Sequence, residues 1–375
     1  MSFARVIGQE IPKRILEQVL EKDRLANTYL FYGPPGVGKF LMAWELAKTL
    51  LCENRVERLE ACGNCSSCLK VSILSHPDLY LVFPHPAPAK QKEAQKYKEV
   101  QEYEESFRQT KIGEPYQIVE YSKPANISVD KIRFLKEQIY RKPFQAEKKV
   151  VIIQQAESMR IDSSNLLLKI FEEPPGDTLI CLTTSQIDRM LPTVISRSQK
   201  IRFAPFRFEV IQAELQKRYS LEAEKAGSYA SLSEGSLGIA LNFASGKWEK
   251  TLELSYLLWQ SIWDRKTKEV QEIIELFNIE KDRSQILLLI KLWQYLLRDI
   301  YVTAEGVDQR FLISGSRLKY ASASQRKLNP SRIHPAYQIL NQARLDFFRN
   351  ISIKSILVWL SLRLPEILSA DQEGN

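Results

Sequence analysis

No apolar run in these 375 residues reaches the length of a membrane-spanning helix, which argues against a helical membrane protein. The segment from Met1 to Arg14 has neither an apolar secretory core nor the Arg- and Ser-rich character of a transit peptide, so the cytoplasm is the expected location. There is no internal repeat, which removes solenoids and arrays. Cysteine is scarce. Four of the five lie between Cys52 and Cys68, and in a reducing compartment such a cluster points to metal before disulfides. Neither sign of charge dominates: 53 Lys and Arg face 45 Asp and Glu, and the net +8 permits a polyanionic partner without requiring one. Hydrophobic residues at 44% and charged residues at 26% then describe a soluble globular chain long enough for two or three domains.

What is present begins with a strand, a glycine loop and a helix. Thr28–Tyr32 is a short β-rich run that feeds Gly33-Pro34-Pro35-Gly36-Val37-Gly38-Lys39-Phe40, and a helix is expected over Leu41–Leu51. In that context G-x-x-x-x-G-K is a phosphate loop. Gly33, Gly36 and Gly38 let backbone N–H groups curl around the anion, and Lys39 answers the outer phosphates. The pattern then breaks, because Phe40 stands where Ser or Thr would give Mg²⁺ a hydroxyl. Nucleotide held without hydrolysis and no nucleotide at all are both open for such a loop.

Further strands are expected at Asp78–Phe83, Lys149–Ile153, Thr178–Thr183 and Gln199–Phe203, with helices at Ser128–Tyr140 and Ser163–Phe171. This alternation predicts an α/β fold with a mainly parallel, doubly wound sheet. Residues 84–115, Pro-rich and then dense in Lys, Glu and Gln, read as a solvated, partly helical insertion with no core of its own. From about Phe206 the strands stop and amphipathic helices follow, including Ser284–Tyr301 and Ile351–Leu368. The expected division is a P-loop domain over 1–205, a small helical lid over 206–247 and an all-α domain over 248–375. Trp259, Trp263, Trp293 and Trp359 sit among aliphatics and read as packed core or subunit interface.

Cys52-x9-Cys62-x2-Cys65-x2-Cys68 supplies the four thiolates of a tetrahedral Zn²⁺ site, with Gly63-Asn64 at the bend. Sulfur at all four positions leaves none for a reacting water, so the module over 52–68 is read as structural. Cys181 falls in an apolar strand and is read as core. In hydrolysing P-loop proteins the strand on the metal side ends in Asp, often followed by Glu, which hold the metal and polarise water. Here Val150-Val151-Ile152-Ile153 runs into Gln154-Gln155, and both carboxylates are amides. Glu157 is shifted onto the following segment and reads as a surface or structural residue.

Taken together, Ile7-Gly8-Gln9, Leu30-Phe31-Tyr32-Gly33, the four cysteines, His76-Pro77-Asp78, Asn165-Leu166-Leu167-Leu168-Lys169, Glu172-Glu173-Pro174-Pro175 and Ser196-Arg197-Ser198 resemble the bacterial DNA polymerase III clamp-loader family of AAA+ proteins. Within that family the chain is most similar to the type of subunit that does not itself hydrolyse ATP. The resemblance covers the first 205 residues. The helices beyond them match in length and character as a lid and an oligomerisation collar. It implies a ring with ATPase subunits and a delta-type subunit, contact with the sliding clamp and primer–template DNA through that complex, and no membrane. The arginine of Ser196-Arg197-Ser198, where the family usually reads Ser-Arg-Cys, resembles a finger inserted toward the neighbouring subunit's ATP. The first sensor, usually Thr-Thr-Asn, reads Thr183-Thr184-Ser185. The arginine of the second, expected just after Gly235-Ser236-Leu237-Gly238, is replaced by Ile239.

These features predict no intrinsic catalytic activity but membership of a DNA polymerase holoenzyme. Two other readings are open: an active ATPase with an unorthodox metal site, and a zinc-dependent nucleic-acid-binding protein. Lys123 and Lys131–Lys142 are basic enough to face DNA or simply to be solvated, and no DNA-contacting residue is assigned.

Overall fold

The computed structural model describes residues 3–56, 59–86, 93–119, 125–173, 175, 177–277, 284–306, 312–313, 332–349 and 351–369. Lys123, Pro174 and residues 87–92 of the insertion lie outside them. The described chain divides into two compact units, one of residues 3–119, 125–207 and 235–239, the other of 208–234 and 240–369.

The first unit contains, in order, α1 (Glu10–Glu21), β1 (Thr28–Tyr32), α2 (Lys39–Leu51), α3 (Ser66–Ser72), β2 (Leu79–Val82), β3 (His85–Pro86), α4 (Glu93–Gly113), β4 (Ala125–Asn126), α5 (Val129–Tyr140), β5 (Lys149–Ile153), α6 (Ile161–Glu172), β6 (Thr178–Thr184), α7 (Pro192–Ser196) and β7 (Gln199–Arg202). Five strands form a sheet in the order β2-β5-β6-β1-β7, every pair parallel. Parallel strands joined by helices are covered on both faces, and β5 and β6 are buried throughout. Leu30, Val151, Ile153, Ile180 and Leu182 of the sheet pack with Ile132, Leu135, Leu167 and Ile170 of α5 and α6. Ser128 caps α5 by accepting the Lys131 N–H (3.3 Å), which sets that helix's start. β3 and β4 pair as a small antiparallel ribbon.

The second unit is helical, with helices at Phe208–Tyr219, Ala223–Leu232, Glu249–Trp263, Thr267–Leu276, Ser284–Ala304, Ile333–Phe348 and Ile353–Ser369. Its buried residues are mainly Leu and Ile, with aromatic rings packed among them. Trp259, Trp263 and Trp293 are buried, and the Trp259 and Trp293 rings meet nearly edge to face at 5.4 Å. Trp359 is half-buried. No helix among the described residues is long and apolar enough to cross a membrane.

Candidate functional site: a phosphate loop and a four-cysteine module

Three strand ends meet at the carboxyl edge of the sheet, where parallel α/β folds bind ligands. β1 delivers Gly33, β5 delivers Gln154 and Gln155, and β6 delivers Ser185. The turn from β1 into α2 needs glycine. Gly36 sits at φ +66°, and a Cβ there would lie 2.7 Å from the backbone of Gly238. Gln9 fastens the loop from outside: its amide donates to the carbonyls of Val37 (3.3 Å) and Ala204 (2.8 Å), and its oxygen accepts the Ala204 N–H (3.1 Å). This explains the Gln of Ile7-Gly8-Gln9.

Lys39 does not reach outward. It is 7% exposed, and its amine donates to the carbonyls of Gly33 (2.7 Å) and Pro34 and to Ser185 Oγ (3.3 Å). Burial lowers its pKa to about 7; the Glu157 carboxylate opposes that shift and the nearby Lys111 ammonium adds to it. Glu157, read from sequence as surface or structural, is half-buried and accepts the Ser185 N–H (3.1 Å). It therefore ties the segment after β5 to the end of β6. Ile239 also belongs to this edge. Its N–H donates to Ser236 Oγ (3.2 Å), Ser236 Oγ donates to the Pro35 carbonyl (2.7 Å), and the Gly238 N–H donates to that of Gly36 (3.1 Å).

The insertion departs from expectation. Its described part holds the helix α4 over Glu93–Gly113, but α4 is not simply solvated. Phe107 is 1% exposed and stacks on Phe83 with ring centroids 3.7 Å apart, and Lys111 is 3% exposed. Charged residues are frequent in α4 and mask the buried pair Phe107 and Lys111, four residues apart on one helix face. The chain then returns through Pro115–Val119 over the phosphate loop. The space left between this segment, the loop and the ends of β5 and β6 is a cavity of about 50 Å³ with no carboxylate in its lining.

The four cysteines converge. Cys52 Sγ lies 3.6 Å from Cys62 Sγ and 3.9 Å from Cys65 Sγ, Cys62 Sγ lies 3.9 Å from Cys68 Sγ, and all four sulfurs fall within 4.8 Å of one another. A tetrahedron with metal–sulfur bonds of about 2.3 Å has edges of about 3.8 Å, so the spacing fits one Zn²⁺-sized ion. Backbone N–H groups aim at the sulfurs: those of Cys62, Cys65 and Cys68 reach Cys52, Cys62 and Cys65 at 3.3–3.4 Å. Donors from Asn64 and Cys65 lower the Cys62 thiol to about 6, whereas burial pushes Cys52 and Cys68 up. Cys181 is fully buried in β6, as expected of a core residue.

Around the module runs a polar chain that sequence reasoning missed. Glu53 accepts from the Ser67 N–H (3.1 Å), Ser67 Oγ (2.8 Å) and Gln145 Nε2 (3.0 Å), and His76 Nε2 lies 3.0 Å from Ser67 Oγ. Asp78, 1% exposed, accepts three backbone N–H groups from Phe144 (2.6 Å), Gln145 (2.7 Å) and Ala146 (2.8 Å). His76-Pro77-Asp78 thereby keys the module to the edge strand β2 and the loop before β5. The only signal for it in sequence is the motif itself.

Arg197 follows α7, well away in sequence from these groups. Its guanidinium pairs with Glu172 at the end of α6 and donates to the Thr193 carbonyl (3.1 Å), with about a third of the side chain exposed.

A parallel α/β sheet whose first core strand enters G-x-x-x-x-G-K ahead of a helix defines a P-loop protein. More narrowly, the chain belongs to the family described as DNA polymerase III, delta subunit, whose model matches residues 8–207. It is 32% identical over 205 residues to DNA polymerase III subunit delta' of Bacillus subtilis, covering 54% of this chain and 49% of the relative. It is 33% identical over 172 residues to the delta' subunit of Pseudomonas aeruginosa, covering 46% and 41%. To the gamma/tau subunit of Mycoplasma genitalium it is 26% identical over 242 residues, covering 63% and 34%. The chain spans about half the length, or less, of the curated relatives it matches.

Proposed function

We propose that the chain is a non-hydrolysing AAA+ subunit of the bacterial DNA polymerase III clamp loader. It assembles with ATPase subunits of the gamma/tau kind and a delta-type subunit, and assists loading of the sliding clamp onto primed DNA. The four-cysteine module holds a structural Zn²⁺. The helices at 206–247 act as a lid and those beyond as the collar that joins the ring. Arg197 is donated in trans to a neighbour's ATP, where a guanidinium stabilises charge on the transferring phosphoryl group.

One observation carries the reading: the cavity at the phosphate loop is lined by Phe40, Gln154 and Gln155 at the positions that would otherwise supply a metal-binding hydroxyl and two carboxylates. Amides neither serve as a base nor replace carboxylates on Mg²⁺. The mutual packing of Glu172 and Arg197 on an exposed edge is compatible with a guanidinium that can be lent outward. The test is a clamp loader reconstituted with Arg197→Ala. Assembly should be intact and ATP turnover at the adjoining site lower by a factor of up to about 10³–10⁵, the range of trans arginine fingers. Unchanged turnover and clamp loading would remove the finger, and ATP hydrolysis by the isolated chain, lost in Lys39→Ala, would remove the non-hydrolysing reading.

A further inference from the structure

Phe40 is more than a missing hydroxyl. Its ring is 6% exposed and meets the Phe107 ring edge to face at 6.1 Å, and Phe107 stacks in turn on Phe83. The aromatic at the head of α2 is thus the docking point for the inserted helix α4. At the end of α4, Lys111 Nζ lies 5.4 Å from the centre of the Phe40 ring and donates to the carbonyls of Pro115 (3.3 Å) and Gln117 (2.6 Å). Those two bonds fold the chain back over the phosphate loop. They put Tyr116 against Gly38, where an added Cβ would lie 3.0 Å from the Tyr116 ring. The Tyr116 hydroxyl accepts the Ile7 N–H (2.6 Å), pinning the segment to the N-terminal stretch. On the other side the Tyr116 carbonyl approaches Gly238 so closely that a Cβ there would lie 2.3 Å from it.

What remains beside the loop is narrow: water can enter only about 50 Å³ of it, against about 300 to 1,000 Å³ for small-molecule sites. The inward-turned Lys39 is the electrostatic counterpart: its amine is satisfied by the loop's own carbonyls.

We propose that residues 107–119 are an internal plug that occupies the nucleotide's place at the phosphate loop, anchored by Phe40 on Phe107 and sealed by Tyr116 against Gly38 and Gly238. The proposal rests on the non-hydrolysing reading and goes further. That reading concerns groups the chemistry lacks; the plug concerns access, so the loop is closed by the chain itself before hydrolysis is at issue. Phe40 is then a retained contact of the closed form, and Gly238 is small because the Tyr116 backbone needs the space.

The test is titration of the full chain with a fluorescent ADP analogue, without and with Mg²⁺. The unmodified chain should bind only weakly, with a dissociation constant in the millimolar range or above. Tyr116→Ala, which opens the loop directly, and Phe107→Ala, which loosens α4 from a distance, should each raise affinity at least about tenfold above the unmodified chain, and Lys39→Ala added to either should abolish the gain. Tight binding by the unmodified chain overturns the plug, as does a folded Tyr116→Ala variant that binds no better. If neither variant folds, hydrogen exchange on the unmodified chain decides. Amides of 36–40 should be protected and unchanged by excess ADP; new protection on adding ADP overturns the proposal. An opened variant that binds and hydrolyses ATP would sink the non-hydrolysing reading and leave the plug standing. One that binds without hydrolysis upholds both.

Discussion

Arg197 and Glu172 form an ion pair across the ends of α7 and α6, with the guanidinium also bound to the carbonyl of Thr193 one turn back. Roughly a third of the arginine and nearly half of the glutamate side chain are exposed, so water competes for both partners. Exposed pairs of this kind contribute about 0–1 kcal/mol. Glu172→Gln should therefore change the unfolding free energy by no more than about 1 kcal/mol and leave ATP turnover of a reconstituted complex undiminished, in contrast to Arg197→Ala. Denaturant unfolding of the variant checks the first part. A loss above about 2 kcal/mol would make Arg197 a structural residue of the α6–α7 junction.

The reach of the sequence differs sharply between parts of this site. Thr28–Tyr32 and Lys149–Ile153 occupy the strands expected of them, because apolar β-formers run unbroken until a glycine or a glutamine stops them. The cysteine spacing likewise determined which sulfurs meet, since two tight C-x-x-C steps allow little else. The plug was hidden. Phe107 and Lys111 are two buried positions in a helix rich in charged and polar residues, and Phe40, which meets Phe107, lies 67 residues earlier. The state of Lys39 was equally out of reach, because it depends first on burial and then on Glu157 and Lys111, which only the folded sheet edge brings near it. Asp78 is a third case. A motif marked the residue, but that it gathers three N–H groups from 144–146 is a property of the packed loop.

The four-cysteine module makes a stoichiometric prediction. The purified chain should carry about one zinc ion, and Cys65→Ser should reduce it, while Cys181→Ser, altering a sulfur in β6 that is not one of the four clustered cysteines, should not. Removing the metal should lower the melting temperature by at least about 5 °C, because the ion ties Cys52 at the end of α2 to Cys65 and Cys68 at the start of α3. Metal analysis and thermal unfolding with and without chelator measure both effects. Equal zinc in Cys65→Ser and the unmodified chain would mean that the ion sits elsewhere.

Lys39 supplies the last prediction, a dependence of stability on pH. Burial lowers its pKa from 10.5 to about 7 in the folded chain, Glu157 pulling against that shift and Lys111 adding to it. Between those two values the unfolded chain binds more protons than the folded one. Stability must then rise with pH across the window from about 7 to 10.5, and the penalty of charging a buried amine is present in full below it. In Lys39→Met this contribution is gone, while Lys111, itself lowered to about 8 by burial, titrates in both proteins and largely cancels in the comparison. Relative to Lys39→Met, the unmodified chain should therefore gain up to about 1.4 kcal/mol per pH unit across the window. Urea unfolding of both proteins at several pH values measures this. Parallel curves would mean that Lys39 stays charged when folded, as a lysine facing bound phosphate would, and would count against a loop closed from within.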